Sequence, residues 1–245
     1  MADDLPARLE RVRARIEAAA RLTGRDIEDI CLVAVAKTRS ASEIRAMAAA
    51  GVTDIGENYL QEALEKQREL ADLDLTWHFI GALQSNKTRA VAEHFDWVHS
   101  VDRLRTLRRL AAQRPADLAP LNVCLQVNLD DESSKAGLAP EAVAEVVEAA
   151  RAWPNIALRG LMALPAPRID TSSQREPFRR LAALALELEQ RCGVALDVLS
   201  MGMSDDLEAA VAEGATHIRV GTALFGPRPV QSPNPVSDED PNHDI

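Results

Sequence analysis

The chain has little cysteine, and its three thiols lie far apart in the sequence. Cys31 and Cys124 fall inside apolar runs, where a free thiol behaves as a small buried hydrophobe. Cys192 directly precedes Gly193 at the end of a helical segment. Their spacing matches neither a zinc site nor a redox pair. These absences argue against a cysteine-based site, and we expect the reducing cytoplasm to be the compartment.

The sequence also lacks an excess of positive charge and lacks long apolar segments. The formal net charge is -10, with 28 Lys and Arg against 38 Asp and Glu. This balance argues against a nucleic acid or an anionic membrane as partner. Acidic residues interrupt the arginines of the N-terminal segment, which a transit peptide avoids. We predict no targeting peptide and no membrane span, so any bound anion must be held by local geometry.

A single domain accounts best for the length of the chain. Its 245 residues, 47% of them hydrophobic, can bury one complete core, and a parallel (β/α)8 barrel has about 250 residues. After Cys31, short β-branched runs alternate with alanine-rich amphipathic stretches, which is the pattern of βα units around a parallel sheet. The sequence therefore predicts an α/β fold, a single (β/α)8 TIM-type barrel.

The candidate strands are short apolar runs, about the eight that close such a barrel. They are Leu32 to Ala36, Asp54 to Glu57, Trp77 to Gly81, Trp97 to Ser100, Asn122 to Asn128, Ala157 to Met162, Leu196 to Ser200, and His217 to Val220. Apolar residues at helical spacing between Leu5 and Ile16 predict an extra N-terminal helix on the outside or bottom of the barrel. From Gly226 the chain turns rich in proline and acid. We predict a barrel domain over 1–228 and a disordered tail over 229–245.

Lys37 follows the first predicted strand, in CLVAVAK, on the face where such barrels keep their chemistry. One interpretation is a solvated lysine at a strand end. The other is a Schiff-base lysine: partial burial removes solvation, the pKa falls, and the free amine can attack an aldehyde. Spacing alone does not decide between these interpretations.

Two loops near the end of the chain are candidates for a phosphate site. In SMGMSDDLEAAVAEG, a glycine turn precedes a helix that we expect to start at Ser204 or Asp205, so that the backbone N–H groups of residues 202–204 face an anion. In HIRVGTALFG, Gly221 and Thr222 follow the last strand. Ordinary caps and turn glycines are the alternative. Because both loops follow the two strands where this fold commonly binds phosphate, a small phosphorylated ligand is favoured.

Arg219 lies within the last predicted strand, two residues before Gly221. One interpretation is a buried structural salt bridge. The other is a guanidinium that faces a ligand inside the mouth of the barrel and donates a hydrogen bond to an unprotonated pyridine nitrogen. Such a contact would keep the ring a weaker electron sink than an acidic partner would.

The remaining candidates each have an ordinary structural alternative. Glu57 and Asn58 in GENYLQE would cap a helix or hydrogen-bond the ligand. Met162 would pack in the core or place its thioether against a flat ring. His78 is interpreted as a satisfied core histidine, with no partners at metal spacing. Lys135 is interpreted as a solvated loop lysine.

The motif WHFIGALQSNK is the most specific stretch of the chain. Through its tryptophan, histidine, glycine, glutamine and lysine it resembles the pyridoxal phosphate homeostasis protein family, the YggS-type proteins. Further blocks resemble the family in the same order: AVAKT, GENYLQE, GLMALP, SMGMSDD and HIRVGTALFG. The resemblance runs from the N-terminal helix to Gly226 and fails only in the tail.

The resemblance implies a barrel like the N-terminal domain of alanine racemase, with pyridoxal 5'-phosphate bound as an internal aldimine. The matching positions are Lys37 for the Schiff base, Ser204, Gly221 and Thr222 for the phosphate, Arg219 for the pyridine nitrogen, and Asn58, Met162 and Ser200 for the pocket lining. It also implies a role in vitamin B6 balance as a cofactor reservoir or carrier, with no established reaction. Apo-enzymes that use this cofactor would be transient partners, and we predict a monomer with no metal.

Two residues depart from the family pattern. Ala36 stands where many members have serine, and Arg39 stands where many have a second lysine. Neither removes the aldimine, and both are expected to affect its pKa and exchange rate.

Two rival functions remain open at this level. The first is a racemase or decarboxylase that uses pyridoxal phosphate. A racemase needs a base on each face of the substrate carbon, and besides Lys37 the only tyrosine is Tyr59 on an early loop or helix. The second rival is a phosphate-binding barrel enzyme without cofactor, in which Lys37 is a plain cation.

Overall fold

The computed structural model of the protein describes residues 5–130 and 136–227. Within these ranges, parallel strands form one closed barrel. The strands are β1 Cys31–Val35, β2 Asp54–Glu57, β3 Thr76–Phe79, β4 Trp97–Val101, β5 Leu121–Gln126, β6 Ile156–Met162, β7 Val198–Ser200 and β8 His217–Val220. They are arranged in sequence order, and β8 closes the barrel by pairing with β1. The predicted (β/α)8 barrel is confirmed.

Helices connect the strands and cover the outside of the barrel. They are α1 Leu5–Leu22, α2 Ala41–Ala49, α3 Leu60–Glu69, α4 Thr88–His94, α5 Leu104–Gln113, α6 Pro140–Ala150, α7 Thr171–Cys192, α8 Leu207–Ala212 and α9 Thr222–Phe225, with a short 3-10 helix at Ile27–Asp29. Helix α1 buries the apolar stripe of Leu9, Val12 and Ile16 and packs against α8 and α9. It is the extra N-terminal helix that the spacing predicts, and it lies outside the barrel.

Some predicted boundaries differ from the structure, for local reasons. The predicted third strand continues to Gly81 and the predicted seventh starts at Leu196, whereas β3 ends at Phe79 and β7 starts at Val198. Leu196 is nevertheless buried. An apolar run in a sequence indicates which residues are buried, and here the buried residues extend beyond those that pair within the sheet.

The interior of the barrel is unusually polar for this fold, in which branched apolar side chains dominate. His78, His99 and Ser200 are fully buried there, and Arg219 is 3% exposed. Trp97 stacks on the ring of His78, with 5.6 Å between centroids and 12° between planes. The interpretation of His78 as a core histidine with satisfied hydrogen bonds is confirmed.

In the described ranges, no helix is both long enough and apolar enough to cross a membrane. The predicted tail over 229–245 and the predicted loop lysine Lys135 lie outside the described residues.

Candidate functional site

Lys37 lies just beyond β1, in a loop that is held from two sides. Its side chain is partly buried. On one side of it, the carbonyl of Ala36 accepts a hydrogen bond of 2.7 Å from Nζ of Lys66. On the other, the backbone N–H of Thr38 donates to Oε1 of Glu62 at 2.5 Å, and Thr38 adopts a φ of 63°, which is uncommon for a β-branched residue. The backbone on both sides of Lys37 is therefore held by α3.

A buried acid–base cluster lies behind this loop. Lys66 Nζ contacts Oε1 of Glu57 at 2.6 Å and Oε1 of Glu62 at 2.5 Å. Glu57 is fully buried, and its Oε2 has no hydrogen-bond partner among the described residues. Burial raises the pKa of Glu57 to about 7, although the charge of Lys66 and its hydrogen bond oppose the rise. A buried carboxyl group with a raised pKa thus lies beside the loop that contains Lys37, the candidate Schiff-base lysine.

Asn58 follows β2, and it does not cap the next helix. The residue at the N-cap of α3 is Tyr59, and no side-chain hydrogen bond caps that helix. The Oδ1 atom of Asn58 is buried and has no hydrogen-bond partner among the described residues. A buried amide oxygen without a partner is costly in a protein, which makes a ligand contact a good explanation of its position.

Arg219 lies in β8, which pairs with β1, and Ser200 is the last residue of the neighbouring β7. Arg219 donates from Nη1 to the hydroxyl of Ser200 at 2.6 Å and from Nη2 to the carbonyl of Ala163 at 3.0 Å. Both described partners are neutral. Burial lowers the pKa of Arg219 to about 10, so the group stays protonated at neutral pH. The guanidinium is therefore a fixed buried donor.

Met162 is fully buried and packs inside the barrel in a cluster with Trp97, Cys124 and Val198. Met162 therefore packs in the core, which is one of the two placements considered from the sequence. A contact of its thioether with a ligand stays a prediction, as does a direct contact of Ser200.

The two loops predicted to bind phosphate meet in the structure. The backbone N–H of Ala223 donates to Oγ of Ser204 at 3.3 Å, which joins the loop after β7 to the start of α9. Thr222 begins α9, and the first N–H groups of a helix have no partner within it. Gly221 lies beside β1, where an added Cβ would be 3.4 Å from the Cβ of Val35. The loops therefore lie next to the strand that carries Lys37.

One detail of the predicted cradle differs. The N–H of Met203 donates to Oδ1 of Asp206 at 2.6 Å, and Asp206 is the N-cap of α8. Helix α8 consequently begins at Leu207, later than the predicted start at Ser204 or Asp205. The N–H of Met203, which was predicted to face an anion, therefore already donates to the carboxylate of Asp206.

Positive charge from α1 lies beside the two loops. Arg15 donates from Nη2 to the carbonyl of Ser204 at 2.9 Å and pairs with Glu208. Arg8, Arg11 and Arg15 line a cavity of about 420 Å³ together with Thr222 and Gly226. Local positive charge thus exists at this point of a chain whose net charge is -10.

Arg39, which stands in place of a second lysine, binds the end of α9. It donates to the carbonyl of Pro227 at 3.1 Å, and its guanidinium lies 5.6 Å from the ring centre of Phe225. The residue links the Lys37 loop to the region after the phosphate loops. Its effect on the lysine's pKa stays a prediction.

The strand topology brings most of the predicted site residues to one mouth of the barrel. Lys37, Asn58, Ser204, Gly221 and Thr222 all follow the carboxyl ends of their strands, and Arg219 lies within β8 and donates to the carbonyl of Ala163, just beyond β6. Lys66 was not among the site residues predicted from the sequence. The spacing of Glu62 and Lys66 on α3 was visible, but their contact with Glu57 and the Lys37 loop depends on the fold. Among the described residues, no group of His, Cys, Asp and Glu is arranged to hold a metal ion.

Comparisons with known proteins place this architecture in a family. The family model described as alanine racemase, N-terminal domain, matches residues 7–229. A Pseudomonas aeruginosa protein named pyridoxal phosphate homeostasis protein is 57% identical over 225 residues, covering 92% of this chain and 96% of that protein.

Solved structures agree with this match. PipY of Synechococcus elongatus PCC7942, solved without PLP, is 40% identical with a TM-score of 0.82, covering 91% of this chain and 100% of PipY. Alanine racemase of Clostridium difficile shares the fold alone, at 15% identity and a TM-score of 0.71, covering 94% of this chain and 58% of the racemase. The chain therefore belongs to the alanine racemase N-terminal domain family.

Proposed function

We propose that this protein binds pyridoxal 5'-phosphate reversibly on Lys37 and acts in cytoplasmic cofactor homeostasis as a reservoir or carrier. The observation that carries the proposal is the placement of a held, partly buried lysine next to two joined phosphate-type loops at one barrel mouth. PipY, 41% identical to this chain, has been solved with PLP bound, and the Pseudomonas relative is named for the homeostasis of this cofactor.

The groups at the mouth fit the cofactor's chemistry. The N–H groups of Gly221 and Thr222, the hydroxyl of Ser204 and the nearby arginines of α1 suit a phosphate dianion. Arg219 is a fixed donor and suits an unprotonated pyridine nitrogen. The buried amide oxygen of Asn58 suits a hydrogen-bond donor on the ring. The cofactor supplies an aldehyde, which condenses with the amine of Lys37 and releases water, and hydrolysis reverses this step.

A carrier fits this site better than an enzyme does. A protonated Arg219 at the ring nitrogen limits the capacity of the ring to stabilise a carbanion. Tyr59, the only tyrosine of the chain, is 56% exposed beyond β2, where desolvation does little to tune a catalytic base.

The three cysteines are free, which supports the proposed location in a reducing cytoplasm. Apo-enzymes that use the cofactor would be transient partners of a monomeric carrier.

Deuterium exchange distinguishes a carrier from a racemase. The loaded protein is incubated with alanine in heavy water, and α-carbon exchange and racemisation are followed by NMR. We expect no turnover above background, while an apo-enzyme added in parallel regains activity as it receives the cofactor. Many turnovers per minute that vanish in Lys37→Ala would establish the enzyme instead.

Ser204→Ala should weaken cofactor retention by about tenfold or more. The hydroxyl oxygen already accepts from Ala223, so its hydrogen can be donated to the phosphate. Loss of one charge-assisted hydrogen bond costs roughly 1.5 to 3 kcal/mol. Equilibrium dialysis measures the effect, with Ser42→Ala on the exposed face of α2 as the control. Unchanged affinity in Ser204→Ala, together with equal binding of unphosphorylated pyridoxal, would rule out the phosphate cradle.

A further inference from the structure

Five side chains form a continuous hydrogen-bonded chain through the inside of the barrel. Asp54 Oδ1 lies 2.9 Å from His78 Nε2, and His78 Nδ1 lies 2.9 Å from His99 Nε2. His99 Nδ1 lies 2.7 Å from Ser200 Oγ, and Ser200 Oγ accepts from Arg219 at 2.6 Å. The chain runs from the start of β2 to the candidate pyridine-nitrogen donor in β8. We call it the interior relay.

With one hydrogen on each imidazole, the chemistry of the end groups sets the direction of every hydrogen bond in the relay. Arginine has donors only, so Ser200 must accept from Arg219 and can give its own hydrogen to Nδ1 of His99. His99 then carries its hydrogen on Nε2 and donates to Nδ1 of His78, whose Nε2–H donates to the carboxylate of Asp54. Both imidazoles are neutral in this arrangement. Burial lowers the pKa of His99 well below its usual value, which agrees with a neutral ring.

The relay joins two faces of the protein. Its four interior members are buried, whereas the side chain of Asp54 is 31% exposed. Asp54 also lines a cavity of about 500 Å³ outside the amino ends of β1 and β2, together with Arg13, Cys31 and Thr53. A hydrogen-bonded path therefore leads from this cavity to the mouth that holds Lys37.

The groups around the relay favour the arrangement with a charge at each end. Burial by itself raises the pKa of Asp54, but the hydrogen bonds from His78 and Cys31 oppose the rise, and the net pKa is lowered. Cys31 and His217 also face Asp54, while His217 and Arg219 face His99. Burial lowers the pKa of His217 to about 4, so it adds no charge at neutral pH. Asp206 and the Cys124 thiol face Arg219.

We propose that Asp54, His78 and His99 are positioning residues, which hold Ser200 and through it fix the guanidinium of Arg219 toward the bound ligand. The proposal rests on the assignment of Arg219 to the pyridine nitrogen. If Asp54 is lost, His78 is free to carry its hydrogen on Nδ1 and donate it to His99. His99 would then donate from Nδ1 to Ser200, and the serine hydroxyl would have to turn elsewhere. A change at one face of the barrel thereby alters the donor set at the other.

The tautomers of the two histidines test the relay without cofactor. Long-range ¹⁵N–¹H NMR of the full, cofactor-free chain labelled at histidine reports which ring nitrogen carries the hydrogen. We expect His78 and His99 each to carry a single ring hydrogen, on Nε2 in both. A hydrogen on Nδ1 of His99 in the unsubstituted protein would overturn the proposal. This measurement needs no variant to fold.

Substitutions at Asp54 test the coupling. In Asp54→Leu the Nδ1 signal of His99 should shift toward the protonated form, whereas Asp54→Asn, whose amide oxygen can still accept from His78, should restore it. Asp197→Leu is the matched control, because Asp197 lies at the same face of the barrel but pairs with Arg159 outside the relay. An unchanged His99 signal in a folded Asp54→Leu protein would overturn the coupling.

The loaded protein provides the readout at the ligand. In Asp54→Leu the pH midpoint of the cofactor's visible absorption should move by about half a unit or more relative to Asp197→Leu. If Asp54→Leu and Asp197→Leu have the same pH midpoint, the relay has no effect on the bound ligand. If the unloaded protein shows the expected tautomers but takes up no pyridoxal phosphate, the proposed function fails and the relay stands.

Discussion

Lys37→Ala should abolish the absorption band of the lysine-bound cofactor. Lys66, the lysine that contacts the same loop, is 5% exposed and is bonded to Glu57, Glu62 and the carbonyl of Ala36. Without the amine at residue 37, the aldehyde has no partner with which to condense. Pyridoxal phosphate would then be held by the phosphate loops and Arg219 alone. Absorption spectra recorded after gel filtration measure the loss.

Lys87→Ala is the matched control, because Lys87 lies at the N-cap of α4 and takes no part in the Lys37 loop. Its spectrum should equal that of the unsubstituted protein. A band that persists in Lys37→Ala and disappears in Lys87→Ala would show that the cofactor is bound to Lys87, and it would contradict our assignment to Lys37.

Gly81→Ala should destabilise the protein by on the order of 3 kcal/mol or more. A Cβ at residue 81 would lie less than 3.0 Å from three backbone atoms of Asn58, so the ends of β2 and β3 would have to separate. Ser100 is tied to the same place, since its hydroxyl donates to the carbonyl of Gly81 at 2.5 Å. Chemical denaturation monitored by circular dichroism gives the free energy of unfolding.

Gly193→Ala separates this clash from the general cost of replacing glycine. Gly193 has a φ of 60° at the end of α7, and nothing lies within 4 Å of an added Cβ. This control should lose only about 1 kcal/mol, the cost of the left-handed backbone for alanine. Equal losses in the two variants would contradict the close approach of Gly81 to Asn58.

The sequence was sufficient to predict the barrel and the mouth at which the candidate site residues lie. Alternating apolar runs place β2 and β8 at their observed bounds, and a parallel barrel brings all the residues after its strands to one mouth. Lys37, Ser204, Gly221 and Thr222 could be found in this way, since each follows a strand directly or within a short turn.

Contacts between distant strands could not be predicted from the sequence. His99 has no partner nearby in the chain, yet the barrel places it between His78 and Ser200, which is 101 residues away. In the sequence, Lys66 is one residue of an ordinary amphipathic helix, and only the folded structure shows that its amine contacts Glu57. Local patterns predict which face of an element is buried, and they contain no information about which polar groups meet there.

Borohydride reduction followed by peptide mapping tests the central claim most directly. The unsubstituted protein is loaded with pyridoxal phosphate, reduced, digested and analysed by mass spectrometry. Our account predicts that the reduced cofactor is found on the peptide that contains Lys37, at close to one equivalent per chain. Label confined to Lys66, Lys87 or Lys135, or no covalent label on a fully loaded protein, would contradict it.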